Sequence, residues 1–228
     1  MLLHWKFDRR FRLTMMSDFP PSEGLTTERI TTLVDGIFAI VLTLLILDLR
    51  APSAANQSEL LARLRDLTPQ IISFLVSFAI LGVFWYGHRM EMHWIARSDR
   101  VHIGITLVFL LTISFVPFSA SLLGKNQQLP IASLIYAGNL CLAGVMRLMH
   151  WVYATEGNRL TVPDLDSGTV RHVRRIFELV PILYIVAGAA AWISPSVAII
   201  LFVLIPILYV VPARQTRHLT SLGRYSPK

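Results

Sequence analysis

The stretch that decides the fold is RITTLVDGIFAIVLTLLILDLR, residues 29–50. It is long and apolar enough to cross a membrane as one helix, because the hydrocarbon core is about 30 Å thick and needs about 20 helical residues. Arg29 and Asp35 lie near its start. A charged side chain inside a membrane helix costs about 3 kcal/mol or more, so it normally faces protein or water and marks a functional position.

The same helix carries a ladder of bulky apolar side chains on one face. Ile40, Leu44 and Leu47 follow one another at i, i+4 and i+7, with Thr43 beside them. Such a face is a candidate pore wall. Helix packing is the more common role of this pattern, so periodicity alone leaves both interpretations open.

The composition indicates an all-α, polytopic membrane protein. Of 228 residues, 54% are hydrophobic and only 15% are charged, and the mean hydropathy is +0.57, whereas soluble domains are about one quarter charged. We predict six transmembrane helices: four over residues 31–49, 67–86, 103–123 and 130–149, and two in the charge-free run 179–213. The Ser194-Pro195-Ser196 break divides that run, because proline fits the first turn of a helix and disrupts its interior.

The distribution of basic residues predicts the orientation. Of 21 Lys and Arg residues, all except Arg50, Arg63, Arg65 and Lys125 fall on one side of the six spans, counting Arg147 with the fourth loop. Because cytoplasmic loops are enriched in Lys and Arg, both termini are expected in the cytoplasm. The predicted organisation is an amino-terminal cytoplasmic segment (1–28) with no signal-peptide pattern, a membrane domain (29–213) and a cytoplasmic tail (214–228).

This topological asymmetry accounts for the net charge of +7, and no basic stripe interleaved with aromatic residues indicates a nucleic-acid partner. Cys141 is the single cysteine, and the histidines lack the spacing that places two ligands on one helix face, so we predict no metal site. Without a nucleophile elbow or paired carboxylates in the spans, the sequence does not indicate an enzyme.

The charged side chains of Arg29 and Asp35, near the predicted cytoplasmic boundary, need polar partners. Arg29 and Asp35 are about 120° apart around the helix and cannot form the usual i, i+4 pair. We expect a shared hydrogen-bonded network that joins them to Trp85, His88 and Asp99. Two alternatives are that these residues act directly on ions or gating, and that Arg29 reaches the headgroups while Asp35 bonds to a neighbour.

Two other features bear on helix packing. Pro117, flanked by Ser114 and Ser119, is expected to kink the third span while neighbouring hydroxyls bond to backbone carbonyls. The small residues Gly36, Gly82, Gly138 and Gly144 are expected at close contacts between helices.

The chain resembles the endolysosomal potassium channel family of animals and its bacterial homologues, whose first helix carries an Arg-x-x-x-Phe-Ser-Asp signature. The matching run begins at Arg29 and ends at Asp35, with Leu33 and Val34 in place of the Phe and Ser. Loss of the serine hydroxyl removes one hydrogen-bonding group from the family's helix-packing network. The FWYGH run, residues 84–88, and LVFLLTISFVPFSASLLG, residues 107–124, extend the likeness into the second and third spans.

The resemblance implies a bacterial plasma-membrane homotetramer in which the first helix lines a central pathway for monovalent cations. It implies that Ile40, Leu44 and Leu47 form the constriction and that Thr43 influences selectivity. The permeant ion would be K⁺ and no cofactor is expected. The chain has no Thr-Val-Gly-Tyr-Gly filter sequence, so only a modest preference for potassium is expected. The alternative function is a secondary or proton-coupled transporter in which Asp35 and His88 titrate, although we find no inverted repeat.

Overall fold

The computed structural model describes residues 27–210, with side chains as far as residue 206. Eight α-helices form within this range: α1 (Thr27–Leu44), α2 (Gln57–Asp66), α3 (Thr68–Trp94), α4 (Arg100–Ser114), α5 (Val116–Lys125), α6 (Pro130–Thr155), α7 (Ser167–Ala189) and α8 (Pro195–Val210). Short 3₁₀ turns follow α1 (Leu45–Asp48), α6 (Glu156–Asn158) and α7 (Ala190–Trp192). Most of the predicted terminal segments, residues 1–26 and 214–228, lies outside the described residues.

The predicted polytopic all-α architecture is confirmed. Five segments are long and apolar enough to cross a membrane: Thr27–Asp48, Thr68–Trp94, Arg100–Lys125, Pro130–Asn158 and Ser167–Trp192. The sixth, α8, is apolar and has 16 residues within the described range. Pro195 begins α8, as the sequence predicts, whereas α7 begins twelve residues earlier than the predicted fifth span because Asp166 caps its first turn through the backbone N–H of Thr169.

The third span is divided into two helices beside Pro117, where the sequence predicts a kink. Helix α4 ends at Ser114, Phe115 connects the two helices, and Pro117 lies in the first turn of α5, where its missing N–H costs little. The hydroxyl of Ser114 donates to the Leu110 carbonyl at 2.8 Å and that of Ser119 donates to the Val116 carbonyl at 3.1 Å. Each of these bonds lies within one half of the span, so neither hydroxyl crosses the break.

An aromatic core joins the helices near the middle of the bundle. The Phe109 ring on α4 lies 6.1 Å from that of Phe38 on α1 and 6.2 Å from that of Phe84 on α3. Phe84 also stacks on Tyr184 of α7 at 6.2 Å. These centroid distances fall within the range of favourable aromatic pairs, so one cluster connects four helices.

Small and polar residues bring the remaining spans together. A Cβ atom at Gly144 of α6 would lie 3.1 Å from the Cγ of Pro181 on α7, which accounts for the expected close contact there. A Cβ atom at Gly36, Gly82 or Gly138 would have no atom of another helix within 4 Å. The expectation of close packing is therefore wrong for these three glycines within one subunit. Across spans, Ser77 bonds to the Tyr136 hydroxyl at 2.8 Å.

Contacts at the two ends of the bundle define its geometry. At one end, the start of α1, the end of α3 and the start of α4 lie together; we call this the Arg29 end. There the loop after α6 pairs with the end of α3, since the Val162 N–H donates to the Trp94 carbonyl at 3.0 Å. At the opposite end, Lys125 in the last turn of α5 forms a 2.8 Å ion pair with Asp48.

Candidate pore stripe and polar networks

Helix α1 and the 3₁₀ turn that follows it (Leu45–Asp48) have two apolar faces with different environments. One face packs inside the bundle through Ile30, Val34, Phe38, Val41 and Leu45. The other exposes Ile40, Leu44 and Leu47, whose exposed fractions are 56%, 42% and 69%. The subunit therefore leaves the stripe of Ile40, Leu44 and Leu47 uncovered, and a lipid, water or another chain must contact it.

The backbone aligns these three side chains. Ile40 and Leu44 are one α-helical turn apart, about 6 Å along the axis at about 1.5 Å per residue. After Leu44 the chain tightens into the 3₁₀ turn Leu45–Asp48, in which side chains three residues apart eclipse and the rise is about 2 Å per residue. Leu47 therefore lies above Leu44, again about 6 Å further on, and the three side chains form evenly spaced rungs.

Thr43 lies beside the stripe and is exposed. Its hydroxyl donates a hydrogen bond to the Ile40 carbonyl at 2.7 Å. Because the proton is directed to the backbone, the oxygen lone pairs remain available to an outside donor or cation. This is the one polar side chain between the apolar rungs.

Asp35 is held by α3. The indole Nε1–H of Trp85 donates to Asp35 Oδ1 at 2.8 Å, and Arg89 Nη1 lies 3.5 Å from Asp35 Oδ2. The Arg89 partner is not anticipated in the sequence analysis. Arg29 is exposed in the first turn of α1, and within residues 27–210 no hydrogen bond or ion pair of its side chain is found. The bond from Trp85 fixes α1 against α3 near the Arg29 end.

The expected single network of five residues divides into separate groups. Asp99 caps α4 through the His102 N–H at 2.9 Å and accepts a 2.6 Å bond from the Tyr153 hydroxyl. His88 stacks on Phe109, with ring centroids 5.7 Å apart, and is buried. Although Trp85 and His88 are only three residues apart on α3, they contact different helices: Trp85 bonds to Asp35 of α1, whereas His88 packs against Phe109 of α4.

The structure contains a buried charged cluster that the sequence analysis did not find. Glu91 of α3 forms an ion pair with Arg147 of α6, and their side chains are 2% and 4% exposed. The guanidinium of Arg147 also lies 4.5 Å from the ring centroid of Phe177 on α7. A Cβ atom at Gly87 would overlap that guanidinium, so only glycine leaves room for it. Because Arg147 lies within α6, its assignment to the fourth loop was wrong.

A signal for this cluster existed in the sequence. His88 and Glu91 are three residues apart at the end of one span, and Arg147 and His150 are three residues apart at the end of another. Residues at this spacing share a helix face, and the two ends meet on the same side of the membrane. Among residues 27–210, no group of three or more His, Cys, Asp or Glu side chains is arranged to hold a metal ion.

Comparison with known proteins places the chain in a family. Residues 29–117 match the model of the endosomal/lysosomal potassium channel TMEM175. A potassium channel of Chamaesiphon minutus is 31% identical over 177 residues, which are 75% of this chain and 87% of the relative. The endosomal/lysosomal proton channel TMEM175 of Danio rerio is 28% identical over 176 residues, 71% of this chain and 34% of that protein.

A solved structure agrees with the sequence relatives. The crystal structure of a lysosomal potassium-selective channel TMEM175 homologue from Chamaesiphon minutus superposes with a TM-score of 0.73 at 27% identity, over 82% of this chain and 98% of that one. The family is one of ion channels, which confirms that the chain is not an enzyme. With its Arg29–Asp35 signature, its helical membrane fold and these relatives, the chain is a bacterial-type member of the TMEM175 channel family.

Proposed function

We propose that several copies of this chain, four by analogy with the family, form a potassium-preferring cation channel whose pathway is lined by α1. The observation that carries the proposal is the uncovered stripe of Ile40, Leu44 and Leu47 on a helix whose other face is fully packed. A symmetric ring of α1 helices would cover this stripe and leave an axial pathway.

Apolar rungs around such an axis would control permeation by excluding water. An ion that loses its hydration without new ligands faces a large barrier. If the opening between facing side chains is narrower than a water molecule, ions cannot pass. A small outward movement of α1 would widen the opening and restore conduction. The bond from Trp85 to Asp35 holds α1 against α3 near the Arg29 end. Ile40, Leu44 and Leu47 lie nearer the opposite end of the helix, and we place the constriction there.

Thr43 supplies the proposed preference among cations. Its hydroxyl donates to the backbone, so each copy offers an oxygen atom to a partly dehydrated ion between two apolar rungs. One ring of hydroxyls has far fewer oxygen ligands than a row of carbonyl rings. We therefore expect a modest ratio of potassium to sodium permeability.

The alternative is a secondary or proton-coupled transporter that uses Asp35 and His88. The described contacts give it little support: Asp35 bonds to Trp85 and Arg89, whereas His88 packs against Phe109 and His150. The two side chains share no bonding partner among these contacts. A titrating pair would require a common proton path between them.

We also propose that the protein crosses the plasma membrane of a bacterial cell with the Arg29 end in the cytoplasm. Within residues 27–210, the Arg29 end carries nine basic residues and the opposite end carries four. The nine are Arg29, Arg89, Arg97, Arg100, Arg147, Arg159, Arg171, Arg174 and Arg175, and the four are Arg50, Arg63, Arg65 and Lys125. Fusion of a reporter that is active only in the cytoplasm to the carboxyl terminus tests this orientation.

The test of function is recording from purified protein in planar bilayers and in liposomes. We expect unitary currents that reverse near the potassium equilibrium potential. Saturable potassium flux driven by a pH gradient, without unitary currents, would favour the transporter. Currents that follow the proton potential in place of the potassium potential would contradict the proposed preference and assign the pathway to protons.

A further inference from the structure

Helix α2 has no buried residue and takes no part in the proposed conduction. Leu67 alone separates it from α3, which is long and apolar enough to span the membrane. Because α3 enters the membrane directly after Leu67, α2 lies at the membrane surface, at the end of the subunit opposite the Arg29 end. The subunit core does not cover α2, so its surroundings at that surface determine its contacts.

Local bonds keep α2 helical without support from the core. The Asn56 Oδ1 atom accepts a hydrogen bond from the Glu59 N–H at 2.9 Å, and Glu59 Oε2 accepts one from the Ala55 N–H at 2.9 Å. Glu59 also forms a 2.5 Å ion pair with Arg63, one turn later. Reciprocal bonds of this kind stabilise the first turn of a helix. They give α2 fixed faces at the membrane surface.

The side chains of α2 divide between an apolar face and a charged face. The apolar face consists of three leucines that lie within about 100° of one another around the helix axis. They are Leu60, Leu61 and Leu64, which we call the leucine face, and they are 38%, 49% and 42% exposed. The opposite face carries Glu59, Arg63 and Asp66. This division is typical of a helix that lies in a membrane interface.

The other connections at the same end of the subunit indicate what covers the leucine face. Leu129, between α5 and α6, is 52% exposed, and Trp192 and Ile193, between α7 and α8, are 61% and 87% exposed. In the connections at the Arg29 end, residues 95–99 and 156–166, no large apolar side chain is exposed. A neighbouring protein surface could cover one connection, whereas lipid contacts all of them. The apolar side chains of this end therefore favour lipid.

Arg65 lies at the border between the two faces of α2. It is exposed, and its side chain forms no hydrogen bond or ion pair within residues 27–210. A long arginine side chain beside an apolar face can reach the lipid headgroups while its neighbours lie deeper. Its guanidinium matches the geometry and charge of a phosphate group.

From these features we propose that α2 binds the phospholipid surface of the bilayer through its leucine face. Leu60, Leu61 and Leu64 enter the boundary between headgroups and acyl chains, about 5 to 10 Å deep, and Arg65 contacts lipid phosphate groups. The charged face with Glu59 and Asp66 remains in water. This contact does not depend on the proposed conduction, because α2 contains no residue of the stripe on α1.

Electron paramagnetic resonance of spin-labelled protein in liposomes tests the leucine face. Single cysteines replace Leu61 or Leu64 on this face and the exposed Ala62 or Asp66 on the other, in a Cys141→Ser background. Each label collides with oxygen, which concentrates in lipid, and with a nickel chelate, which stays in water. We expect the ratio of oxygen to nickel collisions to be at least about fivefold higher on the leucine face.

Two results would overturn the lipid contact. Equal ratios at all four labelled positions would place both faces of α2 in water. Low collision rates with both reagents at Leu61→Cys and Leu64→Cys would show that a protein surface, such as a second copy of the chain, covers the leucine face. All four positions are exposed, so the label does not disturb the packing of the subunit.

The contact between Arg65 and phosphate is tested with the label of Leu64→Cys in liposomes that contain anionic phosphatidylglycerol. Arg65→Gln should lower the ratio of oxygen to nickel collisions by about twofold or more, because a basic residue near the surface attracts anionic lipid. Arg50→Gln is the matched control: it removes the same charge from an exposed position outside α2. An unchanged ratio in Arg65→Gln, or an equal fall in both variants, overturns this contact.

Discussion

The substitution Leu44→Ala removes the middle rung of the proposed constriction. It deletes Cγ and both Cδ atoms, which extend about 2.5 Å beyond Cβ at about 1.5 Å per bond. Between two facing copies, the gap would widen by about 5 Å. This increase exceeds the diameter of a water molecule, about 2.8 Å, so water should enter the space between the shortened side chains. We expect basal potassium flux to rise at least about tenfold, a barrier change of about 1.4 kcal/mol.

Stopped-flow liposome flux and single-channel recording measure this effect. The packing of α1 against its own subunit should survive, because Leu44 is on the exposed face and the buried face is unchanged. Leu111→Ala is the matched control: Leu111 of α4 is exposed in the subunit and lies outside the proposed pathway, so its flux should equal that of the wild type. Wild-type flux in Leu44→Ala at equal reconstitution would refute the assignment of Leu44 to the constriction.

Three further changes test other parts of the structure. Thr43→Val removes the hydroxyl ligand and should change the potassium to sodium permeability ratio by about twofold or more in bi-ionic reversal measurements; an unchanged ratio excludes it from selectivity. Trp85→Phe removes the hydrogen bond to the carboxylate of α1 and should cost about 1 to 2 kcal/mol in thermal unfolding of detergent-solubilised protein, and no loss would show that water replaces the bond. Gly87→Ala should displace Arg147 and destabilise the fold by about 2 to 4 kcal/mol, whereas Gly82→Ala, which has open space, should not; equal effects would contradict the proposed fit.

Much of the fold could be predicted from hydropathy and proline alone. Membrane spans depend on local composition, and Pro195 begins a helix for reasons contained in its own ring. The break between the two helices at Phe115 follows in the same way from Pro117. The extension of α7 to Ser167 was not predicted, because it depends on the Asp166 cap and lies in a charged segment that hydropathy assigns to a loop.

The polar groups were predicted less well because they depend on which helices meet. The sequence indicates that Asp35 needs a partner, and Trp85 is its partner in the structure. It does not indicate that α3 packs against α1 on one face and against α6 on another. That arrangement separates His88 from Asp35 and buries Glu91 beside Arg147. A buried arginine without a partner is costly, so the sequence alone favoured an exposed position for Arg147.

The exposed stripe illustrates a different limit. Sequence periodicity cannot distinguish a face that packs from one that lines a pathway. The structure shows that Ile40, Leu44 and Leu47 are not packed within the subunit. Only the assembled channel determines what covers them.

The measurement that tests the central claim most directly uses Leu47→Cys in a Cys141→Ser background. Leu47 and the control position Leu111 are both 69% exposed in the subunit. Potassium flux is recorded before and after a cationic, water-soluble thiol reagent is added to liposomes. If α1 lines the pathway, modification should strongly reduce flux in Leu47→Cys and leave Leu111→Cys unchanged. Flux through Leu47→Cys that is unaffected by the reagent would contradict a pathway lined by this helix.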